Sequence, residues 1–491
     1  MRTNRHTNVA ALFCFLALLP GLLSAEPLSP LPSNQSWRND VVYQVMLDRF
    51  YDGDLANNDP ETKDPLRYRN GDLKGLIQKL PYIKGLGATS ILLNPIVKGG
   101  AYHGYSVSDP FRVDPHYGTL DDYRELLRRA HEQGLRVIFD LVLNHMSGDA
   151  PLVKQHPDWF RPVAQPGAIN DGIDDTIWPF VTFYVTRDFN HENEEAYQYL
   201  LGVAKFWIEV GVDGFRFDAV TLGAPAFWKR LSADISKFAP ANFLMLGEIF
   251  TESQDRLNKY LPAFNAFFDF PYFQTFNDVV MHGAHPAYLR TLLSLDQLYS
   301  RRDLLPFTFI DNHDVSRYAS RIEGLEREKL ALSFMFMFRG VPTILYGTEI
   351  GLQDDPTLAD QDWDRSRSSM IFSDNEKHAL YQHLKSLIEI RKKYRFPESS
   401  RFDIVDRALE KYWVSIIKDP QGHFVVAMFN FSPEPATGQF YRLHELGIPQ
   451  SGVLKPLVGG GTSVELKKGL VPFNLKPYES RFYVLESPAT S

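Results

Sequence analysis

The sequence predicts an α/β fold in which eight parallel strands alternate with helices and close into a barrel, followed by an antiparallel β-domain. The first observation behind this prediction is the repeated order of short apolar strand and amphipathic helix between residues 41 and 392. The second is the change, beyond about residue 396, to alternating strands with no helix between them. A chain of 491 residues has room for a barrel of about 250 residues or more and for smaller domains.

Eight segments have the apolar character of barrel strands. In chain order they are Val41–Leu47, Ser90–Leu93, Leu135–Leu143, Gly214–Val220, Leu244–Phe250, Ala266–Phe270, Thr308–Asp311 and Thr343–Tyr346. Helical spacing fills most of the connections, as in Leu73–Leu86, which Gly87 closes, and Asp121–Glu132, which Gly134 follows. This order is typical of the (β/α)8 or TIM barrel.

The barrel is expected at residues 26–145 and 191–395. Between these parts, residues 146–190 are long, polar and rich in Asp and Pro, which predicts a small inserted domain after the third strand. Residues 396–491 are predicted to form a C-terminal antiparallel β-sandwich. Its strand candidates are Tyr412–Ile417, Phe424–Phe431, Val464–Lys468 and Ser480–Val484.

The N-terminus has the pattern of a secretory signal peptide over residues 1–25. Arg2 and Arg5 precede the apolar run Val9–Leu19, and small residues follow it. The run is shorter than the ~20 residues that span a bilayer, so we expect no membrane span in the mature chain. A secreted or periplasmic location follows. The single cysteine, Cys14, lies in this segment, so no disulfide is expected.

The composition disfavours nucleic acid as a partner. The net charge is −8 and no run of basic residues occurs. With 44% hydrophobic and 23% charged residues, the chain has the balance of a soluble globular protein. Aromatic residues make up 13%, which suits a large core and also platforms that stack on sugar rings.

Charged side chains collect where the predicted strands end, which is where a parallel barrel places its chemistry. The motifs are DLVLNH (Asp140–His145), GFRFDAV with Arg216 and Asp218, GEIF with Glu248, and FIDNHD with His313 and Asp314. Residues two apart on a strand share a face, so Arg216 and Asp218 would form an ion pair inside an apolar segment. A lone carboxylate at a strand end is usually a helix cap or turn residue. Several such ends in this order predict one catalytic pocket.

Taken in order, these four motifs resemble the sequence signatures of the α-amylase family, glycoside hydrolase family 13, over about residues 40–485. The resemblance implies that Asp218 is the nucleophile, Glu248 the general acid, and Asp314 the carboxylate that binds sugar hydroxyls. Retaining glycosidases hold two carboxyl groups about 5–5.5 Å apart, so one must stay ionised and the other protonated. Arg216 would keep Asp218 ionised. The alternative is a structural ion pair, but buried pairs stabilise poorly.

The resemblance also implies contacts to the sugar from His145, His313 and the segment AYHGYSVSDP. In that segment Tyr102 or Tyr105 would stack on the ring, with Tyr105 preferred, and His103 would donate a hydrogen bond. The family usually has Trp where Ser106 stands.

Three further positions match family residues. Arg367 in DWDRSRSSM would pair with an aspartate, either Asp362 or Asp364. Tyr184 matches the aromatic residue that guides the glucan into a ring in cyclodextrin glucanotransferases, and Phe250 matches an acceptor-side Phe of those enzymes, although packing roles are equally open for both.

A calcium site is predicted in the loop DGDLANN. It carries the oxygen-bearing side chains of Asp52, Asp54, Asn57 and Asn58, which suit Ca²⁺, with ordinary Asx turns as the alternative. The loop resembles the calcium site near the N-terminus of cyclodextrin glucanotransferases and some neopullulanases, which implies that Asp72 joins it.

A second family calcium would use Asn144 and Asp188. Here DAVTLG stands in place of the family's DAVKH, which removes the lysine that contacts a further sugar.

The expected function is that of a retaining hydrolase, an α-amylase, that cleaves α-1,4 bonds in starch-like glucans and maltooligosaccharides through a glycosyl-Asp intermediate. The alternatives are a transglycosylase similar to cyclodextrin glucanotransferases and a neopullulanase-type hydrolase. A carbohydrate-binding barrel without catalysis is a different class, which the three carboxylates disfavour. We expect no C-terminal starch-binding domains of the kind found in cyclodextrin glucanotransferases, which disfavours cyclisation, and no N-terminal domain of the kind typical of cyclomaltodextrinases. We expect a monomer with an α-glucan as its partner.

Overall fold

The structure is a computed structural model that describes residues 37–60, 67–162, 186–299, 304–358, 364–405, 412–440, 447–458, 461–468 and 470–486. All of them belong to the unit Leu31–Ser491. The predicted signal peptide, residues 163–185 of the predicted inserted domain, Tyr184 and Asp362 lie outside the described residues.

The strands of the described residues are, in chain order, β1 (Val42–Val45), β2 (Ser90–Leu93), β3 (Val97–Gly99), β4 (Val107–Val113), β5 (Arg136–Leu141), β6 (His145–Ser147), β7 (Thr186–Asp188), β8 (Gly214–Phe217), β9 (Leu244–Gly247), β10 (Ala266–Phe268), β11 (Leu305–Thr308), β12 (Val341–Leu345), β13 (Ser400–Val405), β14 (Tyr412–Lys418), β15 (Phe424–Asn430), β16 (Ala436–Phe440), β17 (Ser451–Val458), β18 (Val464–Lys467), β19 (Val471–Leu475) and β20 (Ser480–Glu486). The α-helices are α1 (Leu73–Leu86), α2 (Leu120–Glu132), α3 (Pro151–Gln155), α4 (Glu194–Val210), α5 (Pro225–Ile235), α6 (Gln254–Tyr260), α7 (Phe270–Val280), α8 (Ala287–Tyr299), α9 (Tyr318–Arg321), α10 (Leu325–Phe338) and α11 (Ala379–Lys393).

Eight parallel strands form a closed barrel in the order β1-β12-β11-β10-β9-β8-β5-β2, since β1 pairs with both β12 and β2. The predicted (β/α)8 barrel is therefore confirmed. Because all eight strands run in the same direction, their carboxyl ends meet at one end of the barrel.

Alternation along the strands decides which side chains face the barrel axis. On β1, Val42 belongs to an apolar cluster to which seven of the eight barrel strands contribute, and which therefore fills the inside of the barrel. Tyr43 and Val45, which lie on the opposite face of the strand, belong to the larger cluster outside, under the helices. On β8 both Phe215 and Phe217 are in the outer cluster, so Arg216 between them faces inward.

The C-terminal domain is antiparallel, as predicted. A six-stranded sheet (β13-β14-β15-β20-β17-β18) and a two-stranded sheet (β16-β19) share an apolar core that includes Val414 from the first and Phe473 from the second. The other face of β14 meets the barrel, where Trp413 packs 5.3 Å from Phe334 of α10. Alternation on β14 thus builds the core of the domain on one face and its contact with the barrel on the other.

Several elements differ from the sequence prediction. Strand β11 begins at Leu305, three residues before the predicted Thr308. Pro306 has no N–H to donate and is unusual inside a sheet, so the sequence around it does not resemble a strand. The sequence prediction lacks four C-terminal strands, β13, β16, β17 and β19. On β17 the exposed positions interrupt the apolar pattern. Strands β6 and β7 form a short antiparallel pair at the edges of the predicted inserted domain.

Within the described residues, no helix has the length and apolar character needed to cross a bilayer.

Candidate active site

A single guanidinium, that of Arg216, lies among the carboxyl groups at the carboxyl end of the barrel. Its Nη1 donates to Asp140 Oδ1 at 2.8 Å and to Asp218 Oδ1 at 2.6 Å, and its Nη2 lies 2.7 Å from Glu248 Oε1. The strand register pairs Asp140 of β5 directly with Arg216 of β8. Arg216 is only 1% exposed, so one buried cation binds carboxyl groups from three neighbouring strand ends.

The backbone around Ala219 places Asp218 and Glu248 beside this cation. The Glu248 N–H donates to Phe217 O at 3.0 Å, which extends the pairing of β8 with β9. Ala219 has a φ of 50°, in the left-handed region that residues with a Cβ rarely adopt. Its N–H donates to Glu248 Oε2 at 2.8 Å. This unusual turn therefore fixes the second oxygen of the Glu248 carboxyl group.

Two of the carboxyl groups around Arg216, those of Glu248 and Asp140, hold a proton more tightly than an ordinary carboxylate. Burial raises the pKa of Glu248 to about 8; Arg216 acts against this effect, and Asp218 adds to it. Burial also raises the pKa of Asp140 to about 7. One cation cannot compensate three buried negative charges, so a proton is retained at neutral pH. Glu248 holds a proton there and can donate it, as a general acid must.

Asp314 lies on another side of the site, where Arg367 and His313 hold it. Arg367 Nη2 donates to Asp314 Oδ1 at 3.0 Å, and His313 Nε2 lies 3.1 Å from Oδ2. Burial acts to raise the pKa of Asp314, but His313, Arg367 and Arg216 together lower it below the usual carboxyl value. Its side chain is 25% exposed, so this ionised group is accessible to a ligand.

Arg367 identifies the aspartate that the sequence left open. Its Nη1 donates to Asp364 Oδ1 at 3.0 Å and its Nε to the carbonyl of His313 at 3.0 Å. Asp364 is therefore the partner within the described residues. The Tyr102 hydroxyl also donates to Asp364, and the Tyr102 ring is buried. Of the two tyrosines considered for stacking, Tyr105 is the more exposed.

Tyr105 joins the two halves of the site. Its hydroxyl donates to Asp140 Oδ2 at 2.8 Å and lies 2.6 Å from His313 Nε2, and its ring lies parallel to the His313 ring at 5.4 Å. His145 Nε2 lies 3.1 Å from the Tyr105 carbonyl. The His103 ring stacks on Tyr105 from 5.7 Å. Burial lowers the pKa of both His103 and His313 to about 3, so these two rings are neutral at physiological pH.

Phe250, one of the two aromatic residues predicted to contact the glucan, packs against another aromatic ring. Its ring packs 4.5 Å from that of Phe270 at the edge of the apolar cluster inside the barrel. It is half-buried, two residues beyond Glu248. Tyr184 lies outside the described residues.

The loop predicted to bind calcium packs against the beginning of α1. Asp72 is the N-cap of α1: its Oδ1 accepts from the Gly75 N–H at 2.6 Å and its Oδ2 from the Asp54 N–H at 2.8 Å. The Asp54 carboxylate binds Lys74 Nζ at 2.5 Å. A Cβ on Gly53 would lie 2.2 Å from the Gly75 nitrogen, so only glycine permits this approach.

Three oxygens of this loop fit a hard cation. Asp52 Oδ1, Asn57 Oδ1 and Asn58 Oδ1 are buried, and none has a hydrogen-bond partner among the described residues. Buried acceptors without a donor are costly, and carboxylate and amide oxygens are the ligands that Ca²⁺ prefers. Asp52, Asn57 and Asn58 therefore fit calcium, whereas the Asp54 and Asp72 carboxylates have protein partners. The described part of the chain contains no group of three or more His, Cys, Asp or Glu side chains arranged for a metal.

The two residues predicted for a second calcium lie together. Asn144 Nδ2 donates to Asp188 Oδ1 at 3.4 Å, and Asn144 is buried. Burial raises the pKa of Asp188, while His145 and Arg161 act in the opposite direction. The β6–β7 register pairs His145 with Asp188, so this pair lies directly beside the active site.

Two residues of the site, Asp140 and Gln44, have no role predicted from the sequence, although Asp140 begins one of the strand-end motifs. Asp140 opens the motif DLVLNH and has the same parity as Ile138, which faces the inside of the barrel. Gln44 Nε2 lies 2.8 Å from His313 Nδ1, and its parity is that of Val42. A polar residue within an otherwise apolar strand is the signal that both share, but the sequence does not show which face of the strand is the inner one.

The chain matches a family model and is similar to enzymes of known structure and sequence. The family model described as alpha amylase, catalytic domain, matches residues 44–399. A cyclomaltodextrinase from Thermoanaerobacter pseudethanolicus is 30% identical over 383 residues, which cover 72% of this chain and 64% of that enzyme. The chain thus spans less than two thirds of that relative's length.

Solved structures share the whole architecture. An α-amylase from Geobacillus thermoleovorans, complexed with acarbose, has a TM-score of 0.81 at 27% identity, covering 92% of this chain and 99% of that one. A cyclomaltodextrin glucanotransferase described as having a three-domain ABC distribution has a TM-score of 0.77 at 25% identity, covering 91% and 99%. The number of domains therefore does not distinguish hydrolases from glucanotransferases. A lack of further domains is thus no argument against cyclisation.

Replacing Arg216 with methionine is expected to destabilise the protein by about 3–5 kcal/mol, because it leaves buried carboxyl groups without their cation. The folded-state pKa values of Glu248 and Asp140 lie above those of free carboxyls, so their protonated forms favour the folded state at low pH. That contribution is lost as the pH rises through about 7–8. At pH 8 these two buried carboxyl groups ionise and need the guanidinium, whereas at pH 5 they are largely protonated and do not. The decrease in the free energy of unfolding caused by Arg216→Met, measured by urea unfolding, should therefore be larger at pH 8 than at pH 5.

The matched control is Arg230→Met, since Arg230 forms an exposed pair with Glu194 at 2.8 Å. No measurable change is expected there. An equal loss at both pH values in Arg216→Met would contradict the charge assignment.

Proposed function

The chain belongs to the α-amylase family of glycoside hydrolases, and from this premise we propose that it hydrolyses α-1,4-glucosidic bonds in starch-like glucans and maltooligosaccharides with retention of the anomeric configuration. The observation that supports this most is the asymmetry of the two carboxyl groups on Arg216. Glu248, with its pKa raised to about 8, holds a proton, while Asp218 is paired with the guanidinium at 2.6 Å. An acid next to an anion is what a double-displacement reaction requires.

In the first step, Asp218 attacks the anomeric carbon as the glycosidic bond breaks, and Glu248 gives its proton to the departing oxygen. The result is a glycosyl ester on Asp218. In the second step Glu248, now ionised, takes a proton from water, and the water oxygen displaces Asp218 from the anomeric carbon. Arg216 stays charged throughout and binds both groups, so it favours the anionic form of whichever has lost its proton.

Asp314 and the residues around it would bind the sugar that reacts. Asp314 is ionised and one quarter exposed, so it can accept hydrogen bonds from two sugar hydroxyls. Tyr105 is half-buried, with its hydroxyl held by Asp140, and this fixes the plane of a ring on which a sugar can stack. Hydrogen bonds of this kind strengthen as the sugar ring flattens toward the transition state.

The second candidate is transfer of the glycosyl group to another sugar in place of water. It is supported by the similarity in architecture to the three-domain cyclomaltodextrin glucanotransferase. Both reactions share the glycosyl ester and differ only in the acceptor. Chromatography of the products from amylose, pullulan and cyclodextrin separates them, since transfer yields products longer than the substrate or cyclic.

We also propose that calcium binds the loop of Asp52, Asn57 and Asn58 through the three buried oxygens that have no donor. When bound, the ion would supply positive charge that neutralises these acceptors. Its effect would be structural, because this loop packs on the beginning of α1 rather than on Arg216.

Replacing Asp218 with asparagine is expected to reduce the rate of maltoheptaose hydrolysis at least about 1,000-fold, because the amide cannot form the ester. Reducing ends released over time give the rate. Asp121→Asn, on the exposed surface of α2, is the matched control and should leave the rate unchanged. Comparable turnover in Asp218→Asn would remove Asp218 from its role. In the wild type, proton NMR should show the α-anomer as the first product, and a β-anomer would contradict retention.

Activity is expected to fall as the pH rises above about 8, because Glu248 then loses the proton that it must donate. The alkaline limb of kcat/KM, measured with an aryl maltooligoside, should report this pKa. A substrate whose leaving group needs no proton, such as a glycosyl fluoride, serves as the control and should show a weaker limb. A rate that stays flat to pH 10 with the aryl substrate would contradict the assignment of Glu248 as the acid.

Removal of calcium by a chelator is expected to lower the Tm by roughly 5 °C, since an ion bound only to the folded state stabilises it. Asn58→Ala should abolish this response, whereas Asn39→Ala, at an exposed contact with Glu398, should retain it. Differential scanning calorimetry and metal analysis of dialysed protein provide the measurement. A wild-type Tm that does not respond to chelator, with no calcium in the protein, would refute the site.

A further inference from the structure

We propose that Gln44 is a positioning residue: its carboxamide N–H donates to Nδ1 of His313, and this contact keeps the opposite ring nitrogen protonated and directed at Asp314 and Tyr105. Gln44 lies on β1, the strand that closes the barrel, and none of the predicted catalytic groups comes from it. The proposal concerns the tautomer and orientation of one ring. Only its kinetic consequence depends on the proposed function.

The position of Gln44 is fixed by its strand. It lies two residues beyond Val42, which faces the inside of the barrel, so it occupies the next inner layer towards the carboxyl ends. The side chain is 4% exposed, and Nε2 lies 2.8 Å from His313 Nδ1. Nearly complete burial leaves the carboxamide little freedom to turn away from the ring.

The opposite edge of the ring determines which nitrogen carries the proton. His313 Nε2 lies 2.6 Å from the Tyr105 hydroxyl, whose hydrogen points at Asp140 Oδ2. It also lies 3.1 Å from Asp314 Oδ2, an ionised carboxylate that can only accept a hydrogen bond. A neutral ring must therefore carry its proton on Nε2 and present a lone pair at Nδ1. That lone pair requires a donor, and so Gln44 must present its amide nitrogen rather than its oxygen.

The rest of the carboxamide agrees with this orientation. Gln44 Oε1 is buried and has no hydrogen-bond partner among the described residues. Turning the amide over would place an oxygen against the Nδ1 lone pair, and two acceptors would face one another. The contact with His313 therefore sets the orientation of the amide, and the amide in turn holds the ring.

The consequence reaches the catalytic groups through a chain of hydrogen bonds. His313 Nε2 lies 2.6 Å from the Tyr105 hydroxyl, which donates to Asp140 Oδ2 at 2.8 Å, and Asp140 Oδ1 binds Arg216 at 2.8 Å. With Nε2 protonated, the Tyr105 oxygen accepts a hydrogen bond from the ring, and the Tyr105 hydroxyl hydrogen remains donated to Asp140 Oδ2. If Nε2 instead carried the lone pair, the Tyr105 hydrogen would be drawn to the ring and Asp140 would lose a donor.

The first test needs no substitution. In wild-type protein labelled with ¹⁵N-histidine, and with His313 assigned by its loss in His313→Gln, we expect the pattern of a neutral ring protonated at Nε2 with a hydrogen-bonded Nδ1. A ring protonated at Nδ1, or an Nδ1 resonance typical of a free lone pair, would overturn the proposal. Neither readout depends on substrate.

The second test is Gln44→Met, which keeps the length of the side chain and removes the donor. We expect the His313 Nδ1 resonance to move downfield to the position of a nitrogen without a hydrogen bond. We expect kcat on maltoheptaose to fall about 10-fold with a smaller change in KM, as for other residues that orient a catalytic group. An unchanged Nδ1 resonance in folded Gln44→Met would overturn the proposal.

The matched control is Thr343→Val. Thr343 pairs with Val42 one layer below Gln44, is buried, and its Oγ1 has no hydrogen-bond partner in the described part of the chain. It removes a buried polar atom from the inside of the barrel without touching His313, so both the ¹⁵N pattern and kcat should stay as in the wild type. If the wild type hydrolyses no glucan, the proposed function fails while the ¹⁵N test of Gln44 still stands.

Discussion

The guanidinium of Arg216 sets the protonation states of the carboxyl groups around it. Inside a barrel, charges interact more strongly than in water, and an uncompensated carboxylate is costly. Asp140, Asp218 and Glu248 share one cation, so they cannot all be ionised at neutral pH. Glu248 keeps a proton, because burial raises its pKa to about 8 although Arg216 acts in the opposite direction. Glycoside hydrolysis depends on this division into an anion and an acid. The division is a property of Arg216 together with the three carboxyl groups, and not of any one residue.

The closed barrel makes this arrangement possible, because inner positions on separate strands meet at one end. Gln44, Asp140 and Arg216 all occupy the last inner layer of their strands. Above them, His313 and Tyr105 connect the part of the site around Asp314 with the part around Arg216. The site therefore has two electrostatic halves: one in which a carboxyl group keeps its proton, and one in which Arg367 keeps Asp314 ionised. A hydroxyl and a neutral ring link them without adding charge.

The loops around the barrel are built by close backbone approach and by capping. The beginning of α1 is held by Asp72, which accepts amide hydrogens from both the helix and the loop before it. Gly53 allows the loop to lie directly against the helix. This leaves Asp52, Asn57 and Asn58 with buried oxygens that face no donor among the described residues. The loop before α1 thus helps to cap the helix and also provides oxygens suited to a cation. Turn residues and metal ligands are the same residue types here, so the sequence alone does not distinguish them.

The sequence by itself determined the order of the barrel strands and their helices and the antiparallel character of the C-terminal domain, because these follow from local periodicity. Its ordered motifs also placed Asp218, Glu248 and Asp314 at strand ends. The tertiary structure alone decided that Asp364 partners Arg367 and that Gln44 and Asp140 belong to the site. A barrel strand is buried on both faces, so apolar residues at every position conceal which face is the inner one. That distinction appears only when β8 pairs with β5 and β1 closes the barrel, since the side chains that meet there are far apart in the chain: Asp140 and Arg216 are separated by 76 residues, and Gln44 and His313 by 269.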